Sequence, residues 1–241
     1  MVKKVVRVLA SIMVFTMMSS VVAFAAESKN VASEAVILDG DMSIEEGAEP
    51  GIPAADEAAN AKKLAEMQTR LSMRLSGPTY MSLNVPTCEQ INGYYCGPAT
   101  VQQTIKFYKG SAPSQDTLAS QLGTTTDGTD MTRIAGVVNN NLGYSQYSMI
   151  AIGTQTDWAN KVTYALSINK PVIIDIKAAS GSGWPYTTNG HFMNVSGHDR
   201  SSSVSKAKVT DPWKLGLGSH WYNESLVYKV NNAHFRQAMI W

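Results

Sequence analysis

The pattern of hydrophobic and polar positions separates an N-terminal part, in which a short apolar run precedes an acidic stretch, from a C-terminal part with regular periodicities. In the C-terminal part, apolar residues at three- to four-residue spacing predict helices whose ends are marked by capping residues or glycines. These predicted helices span residues 96–108, 114–123, 129–142 and 157–168. Short apolar runs predict strands at residues 171–176, 191–196, 207–210 and 226–230. Helices thus precede strands, which predicts an α+β fold with a helical half packed against an antiparallel sheet.

The first residues have the pattern of an export signal. Basic residues within the first seven positions precede an apolar run at 9–22, and Ala23-Phe24-Ala25 supplies the small residues of a cleavage site. The apolar run is short for a permanent membrane helix, which needs about 20 residues. We therefore expect residues 1–26 to be a signal peptide, and the mature protein to be secreted, extracellular or at the cell surface, with no membrane contact after cleavage.

Residues 27–79 differ in composition from the rest of the chain. Residues 27–60 contain nine Asp or Glu residues and only one Lys, which is typical of a segment that cannot bury a core. From residue 55 to 75 the sequence favours an amphipathic helix. We predict an acidic linker, with two readings open: a pro-segment that covers a site, or a plain spacer. The compact domain is expected to span residues 80–241.

Composition and charge narrow the class of partner. The chain is 44% hydrophobic and 16% charged, with a net charge of +1, an ordinary balance for a globular protein. Such a charge gives no general attraction to nucleic acid or to acidic membranes, and no basic stripe is interleaved with aromatic residues. The sequence also has no internal repeat and no glycine loop that would bind phosphate. No nucleic-acid partner is expected.

Cys96 stands at a turn that opens the first predicted helix, in Tyr94-Tyr95-Cys96-Gly97-Pro98-Ala99. A helix N-terminus carries unpaired N–H groups and partial positive charge, which favour a thiolate over a thiol. The stretch therefore suits a nucleophile, although a buried structural cysteine would fit it equally. Cys88 offers a third reading, since an even cysteine count in a secreted chain is typical of a disulfide and of a stapled binding module. A zinc site is not expected, because these cysteines lack the short paired spacing.

A thiolate nucleophile needs a base, and the base needs an orienting partner. His191 is the best placed of four histidines, because it follows the Gly/Ser/Thr-rich stretch 178–189, a predicted loop, and begins an apolar strand. His198, beyond the other end of that strand, is expected to face solvent. Asp211 follows the strand 207–210, where its carboxylate would accept the imidazole N–H, although an Asp-Pro pair also starts turns.

Gln90 is a candidate for stabilising the oxyanion that forms when a thiolate attacks a carbonyl. Its side-chain amide lies six residues before Cys96, and the backbone N–H of Cys96 would be the second donor. On its own, a loop glutamine is also just a polar loop residue.

Taken together, these motifs resemble the papain-like cysteine peptidases of the double-glycine leader peptidase family, which processes bacteriocin precursors. The likeness rests on Gln90, the Cys96 hexapeptide, Gly190-His191-Phe192 with Gly197, and Asp211-Pro212-Trp213, in that order. It covers about residues 82–241 and is closer to the stand-alone secreted branch. The resemblance implies a papain-like fold in which the helical half carries Cys96 as nucleophile, and the sheet carries His191 as base and Asp211 as orienter. It also implies that Gln90 is the oxyanion donor.

The resemblance further implies a monomer that cleaves peptide or protein substrates, cell-wall peptides among them, without cofactor or metal. Exporter members of that family carry membrane helices and an ATPase, which are absent from this sequence, so their double-glycine substrates do not transfer. Two other classes stay open at this stage. One is an inactive or disulfide-stapled binding module for peptides or cell wall. The other is an acyltransferase or cell-wall amidase, which uses the same thioester chemistry with a different acceptor.

Overall fold

The structure is a computed structural model that describes residues 51–72 and 78–241, so the predicted signal peptide and residues 27–50 lie outside it. The helices are α1 (Ala54–Ser72), α2 (Cys96–Lys109), α3 (Gln115–Leu122), α4 (Ile134–Leu142), α5 (Gln155–Ser167) and α6 (Glu224–Asn232). The strands are β1 (Tyr80–Ser82), β2 (Met149–Ala151), β3 (Val172–Ala178), β4 (Thr188–Asp199), β5 (Lys206–Asp211), β6 (Gly218–Asn223) and β7 (Ala238–Ile240). Among the described helices, none has both the length and the apolar character that crossing a bilayer requires.

All seven strands form one antiparallel sheet. Its order is β2-β7-β3-β4-β5-β6, and β1 pairs with the C-terminal half of β4. β3, β4 and β5, which hold the predicted strands 171–176, 191–196 and 207–210, are central. Neighbouring strands thus bring the end of β5 beside the beginning of β4.

Each face of the sheet buries a separate core, because successive residues of a strand point to opposite faces. Ile173 of β3 packs with apolar side chains of α2, α3 and α4. Ile174, the next residue, packs on the other face with side chains of α5 and α6. The predicted α+β fold, with a helical half on an antiparallel sheet, is confirmed, and helices also cover the second face.

The predicted helix ends follow from local capping chemistry. Ser114 accepts a hydrogen bond from the N–H of Thr117 at the start of α3. Three helices end where a glycine enters the left-handed region, at Gly110, Gly123 and Gly143. The helix predicted over 129–142 is shorter than expected, since it begins as a 3₁₀ turn over Met131–Arg133 that leads into α4.

The strand predicted over residues 226–230 is wrong, because this segment lies within helix α6. Val227, Tyr228 and Val230 are typical strand formers, but the buried positions are Glu224, Val227, Val230 and Asn231. That spacing is helical and turns one face of α6 toward the sheet. Tertiary packing therefore overrides the β propensity of the run. Strands β1, β2, β6 and β7 were not predicted, and three of them have only three residues each.

The helix predicted over residues 55–75 is confirmed by α1 as far as Ser72, while residues 73–75 lie outside the described residues. Helix α1 closes the free edge of the sheet at β2. Asp56 accepts the backbone N–H of Met149 at 2.9 Å, and Asn60 donates to the carbonyl of the same residue at 2.7 Å. Two side chains one helical turn apart thus satisfy both backbone groups of one edge residue, a protection that exposed edge strands need. Three strands separate β2 from β5, so α1 lies against the edge remote from Asp211.

We expect Asn60→Ala to lower the free energy of unfolding by about 3 kcal/mol. The Asn60 carboxamide also accepts hydrogen bonds from Ser148 Oγ and from the Trp241 indole, both at 2.8 Å. Truncation leaves several buried polar groups without a partner, each costing about 1–3 kcal/mol. Urea denaturation measures the change, and Gln68→Ala, on the exposed side of α1, is the matched control. Equal stability of both variants would contradict the prediction.

Candidate active site

Cys96 is the first residue of α2, where the sequence places it. Its side chain is buried, with 1% of the residue exposed. Tyr95 occupies the N-cap position without giving a side-chain hydrogen bond, and the N–H groups of the first turn point out of the helix end. Gly97 allows this end to approach Thr129 closely, because a Cβ at Gly97 would stand 2.3 Å from the Thr129 hydroxyl oxygen.

His191 and Asp211 lie side by side on adjacent strands. His191 is in β4 and Asp211 ends β5, and His191 Nε2 lies 2.8 Å from Asp211 Oδ1. Both side chains are almost fully buried. Since an ionised carboxylate can only accept, Nε2 carries the proton of this bond. The other ring nitrogen, Nδ1, is then left for Cys96, whose side chain also interacts with the ring.

The environment makes the His191 imidazole strongly basic. Burial disfavours the imidazolium, but the charge and hydrogen bond of Asp211, together with the neighbouring Cys96, outweigh it and raise the pKa to about 9. The ring can therefore hold a proton at neutral pH. This is the arrangement that thiolate–imidazolium chemistry requires.

Asp211 is held by more donors than the sequence indicated. The backbone N–H of Trp213 donates to Oδ1 at 2.8 Å, and the Tyr186 hydroxyl donates to Oδ2 at 2.5 Å. Asp211 can thus both accept the imidazole N–H and start a turn, because the turn after it supplies one of its hydrogen bonds. Sequence reasoning missed Tyr186, which lies in the predicted loop 178–189; the available signal was the presence of two aromatic residues, Trp184 and Tyr186, in a loop that is otherwise rich in small and polar residues.

Asp175 is a second residue that the sequence did not single out. Its carboxylate, fully buried on β3, accepts the backbone N–H of His191 at 2.9 Å. This bond lies next to the point where the β3–β4 register shifts, and it anchors the backbone of His191. A charged residue within an apolar strand run was the signal for such a role.

Gln90 is buried near the site but bonds to its own loop. Its Nε2 donates to the carbonyl of Asn92 at 2.8 Å, which uses one of the two amide hydrogens. Its backbone N–H donates to the carbonyl of Pro212 at 3.0 Å. The structure therefore joins the loop before α2 to the turn after Asp211, although the side-chain hydrogen bond of Gln90 runs to Asn92 rather than to Cys96 or His191.

The remaining candidates lie away from this centre. Cys88 and Cys96 form no disulfide, and burial raises the pKa of Cys88. The expectation that His198 faces solvent is wrong, because it is buried and its Nε2 bonds to the carbonyl of Pro78 at 2.8 Å. Within residues 51–72 and 78–241, no group of three or more Cys, His, Asp or Glu side chains is arranged to hold a metal ion.

The model of the Peptidase_C39 like family matches residues 82–238, and no curated protein matches. One similar solved structure is a double glycine motif protease from an AMS/PCAT transporter in complex with the leader peptide, with 16% identity over 66% of this chain and 91% of that one, and a TM-score of 0.43. Another is the peptidase domain of Streptococcus ComA, a bi-functional ABC transporter, with 18% identity over 66% of this chain and 97% of that one, and a TM-score of 0.45. Xylellain, a cysteine protease from Xylella fastidiosa, has 13% identity over 67% of this chain and 83% of that one, and a TM-score of 0.48.

Proposed function

This chain belongs to the Peptidase_C39 like family and is a cysteine peptidase, and we propose that it cleaves peptide amides with Cys96, His191 and Asp211. The observation that carries the proposal is the buried 2.8 Å hydrogen bond between His191 Nε2 and Asp211 Oδ1, beside a cysteine at the start of a helix. The class predicted from the sequence, a cysteine peptidase, is confirmed by the family match.

The proposed reaction begins with a proton moving from the Cys96 thiol to His191 Nδ1, which leaves a thiolate beside an imidazolium. The sulfur attacks the peptide carbonyl, and the resulting oxyanion is held by the N–H of Cys96 and the second amide hydrogen of Gln90. The imidazolium then gives its proton to the leaving amine as the C–N bond breaks. Water, deprotonated by His191, hydrolyses the thioester and restores the thiol.

We propose in addition that the enzyme is secreted and acts as a monomer on peptide or protein segments, cell-wall peptides among them. The basic start, the apolar run at 9–22 and the small residues at 23–25 support secretion. The low net charge of +1 supports a substrate that is recognised by backbone and side-chain shape rather than by strong charge.

The sharpest test compares the two thiols of one molecule. Cys88 and Cys96 are both buried, with 7% and 1% of each residue exposed, so exposure alone would favour reaction at Cys88. We expect iodoacetamide at pH 6.5 to alkylate Cys96 at least about tenfold faster, because His191 can accept the proton of Cys96, whereas burial raises the pKa of Cys88 although Lys106 lies beside it. Peptide mapping by mass spectrometry measures both rates. Faster labelling of Cys88, or protection of both sulfurs until a reductant is added, would overturn the proposal.

The pH dependence of turnover provides a second test. Because the leaving amine takes its proton from the imidazolium, we expect cleavage of a peptide library to fall as the pH rises through about 9, the pKa of His191. Measuring kcat/KM between pH 5 and 11 checks the prediction, and a rate that stays flat beyond pH 10 would contradict a role for the His191 proton.

A further inference from the structure

The Asp211 carboxylate has a third hydrogen-bond donor that a Cys-His-Asp centre does not include. His191 and the backbone of Trp213 both bond to Oδ1, whereas the Tyr186 hydroxyl bonds to Oδ2 at 2.5 Å. The donors come from β4, from the turn after β5, and from the loop that connects β3 to β4. Each carboxylate oxygen of Asp211 therefore has its own protein donor, and the plane of the carboxylate group is fixed from two sides.

Tyr186 is itself held rigidly. The residue is 8% exposed, and its ring makes edge-on contacts with Trp184 at 6.2 Å and with the His191 ring at 5.7 Å between centroids. Burial and the nearby Asp211 charge raise the pKa of Tyr186 well above its usual value, so the hydroxyl keeps its proton and remains a donor throughout the working pH range. The same side chain thus touches both members of the pair.

Gly216 closes the remaining side of this arrangement. A Cβ at Gly216 would stand 2.4 Å from Asp211 Oδ2 and 3.0 Å from Tyr186 Cε1. Such distances leave no room for a methyl group, and the Gly216 N–H bonds to the carbonyl of Trp213 at 2.9 Å, which holds the turn in place. The carboxylate of Asp211 is therefore enclosed by Tyr186 on one side and by the Gly216 backbone on the other.

We propose that Tyr186 is a positioning residue for this peptidase: its hydroxyl fixes the carboxylate plane of Asp211 and takes a share of its negative charge, which keeps Oδ1 aligned with His191 Nε2. Tyr186 acts only through Asp211. The inference rests on the proposed function, because alignment of His191 matters only if His191 exchanges protons with Cys96.

The hydrogen bond from Tyr186 to Asp211 should shift the pKa of His191 in a definite direction. A donor on Oδ2 withdraws charge from the carboxylate and so weakens its hold on the imidazolium proton. Removing the hydroxyl therefore makes the imidazolium harder to deprotonate, while it loosens the carboxylate. The other titratable groups facing this pair are Cys96 on α2, Asp175 on β3, which bonds to the backbone of His191, and Tyr222 on β6, whose pKa the Asp211 charge helps to raise. None of these changes when only the Tyr186 hydroxyl is removed.

The test is Tyr186→Phe, with Tyr164→Phe as the matched control. Tyr164 also donates its hydroxyl to a carboxylate, Glu66 at 2.6 Å, and is similarly buried at 5% exposure, but it lies on α5. With a peptide library as substrate, Tyr186→Phe is expected to lower kcat about tenfold with KM unchanged and to move the alkaline limb of the pH profile upward. Tyr164→Phe should leave both kcat and the limb unchanged. An unchanged Tyr186→Phe profile, or the same change in both variants, would overturn the inference.

Gly216→Ala keeps the inference testable if Tyr186→Phe does not fold. Its methyl group displaces Asp211 Oδ2 from the tyrosine hydroxyl, so the same fall in kcat and the same upward limb are expected. A folded Gly216→Ala with wild-type kcat would then count against the role of Tyr186. The proposed function and the role of Tyr186 are overturned by different results. A wild-type protein that shows neither turnover nor selective alkylation of Cys96 overturns both. An active wild-type protein whose kcat and pH profile are equal to those of Tyr186→Phe overturns only the role of Tyr186.

Discussion

Replacement of Cys96 by Ala is expected to reduce peptide cleavage by at least about 10⁴-fold, because the sulfur forms the covalent bond of the proposed reaction. Loss of a nucleophile removes the whole covalent pathway and leaves only what substrate binding and the oxyanion donors contribute. The measurement is turnover of a peptide library by purified mature protein, with the thioester intermediate of the wild type trapped by acid quench and found by intact mass.

Cys88→Ala is the control for this experiment. Cys88 is a free, buried thiol, and its backbone carbonyl, which accepts a hydrogen bond from Gln103 at 3.3 Å, survives the substitution. We expect Cys88→Ala to retain turnover and to lose about 1 kcal/mol of stability. If Cys96→Ala kept its activity, or if Cys88→Ala lost it, the assignment of the nucleophile would be wrong.

Asp211→Asn is expected to lower kcat by about 10²–10⁴-fold, since it removes the charge that keeps the His191 ring protonated. Without that charge, the burial that disfavours the imidazolium is opposed only by Cys96, so the pKa of His191 falls from about 9. The alkaline limb of turnover should therefore move downward, opposite to the shift expected for Tyr186→Phe. Full pH profiles of both variants make the comparison, and limbs that move in the same direction would contradict this account of the pair.

The same substitution has a pH-dependent effect on stability. A histidine whose pKa is raised on folding stabilises the native state below its unfolded pKa of about 6.5, and this contribution is lost as the pH rises through about 9. The difference in unfolding free energy between wild type and Asp211→Asn should thus be about 3 kcal/mol larger at pH 6 than at pH 10. Urea denaturation at both pH values measures it.

Glu224→Gln is the matched control for the loss of a buried carboxylate. Glu224 pairs with Arg200 at 2.8 Å, and 7% of its side chain is exposed, but it lies at the start of α6. Its substitution should destabilise the fold without moving either limb of the turnover profile. A shift of the alkaline limb in Glu224→Gln would mean that the profile reports global stability and not the His191 proton.

Local sequence signals accounted for much of the helical half. Ser114 and Gly123 bound α3 because capping is decided by a few neighbouring residues, and the same holds for Gly110 at the end of α2. The position of Cys96 at a helix start is equally local. Strands were harder to predict: β1, β2 and β7 have three residues each, too few for a period-2 pattern, and each exists only through its pairing partner.

The sequence by itself determined the ends of α2 and α3, the α+β class and the order of Gln90, Cys96, His191 and Asp211, since these depend on short-range chemistry and on a recognisable motif order. Tertiary structure alone decided that residues 226–230 coil into a helix, because the burial of Val227 and Val230 on one face outweighs their strand propensity. It also decided that Tyr186 bonds to Asp211, 25 residues further along the chain. No local pattern encodes that contact, because it requires β4 and β5 to pair first.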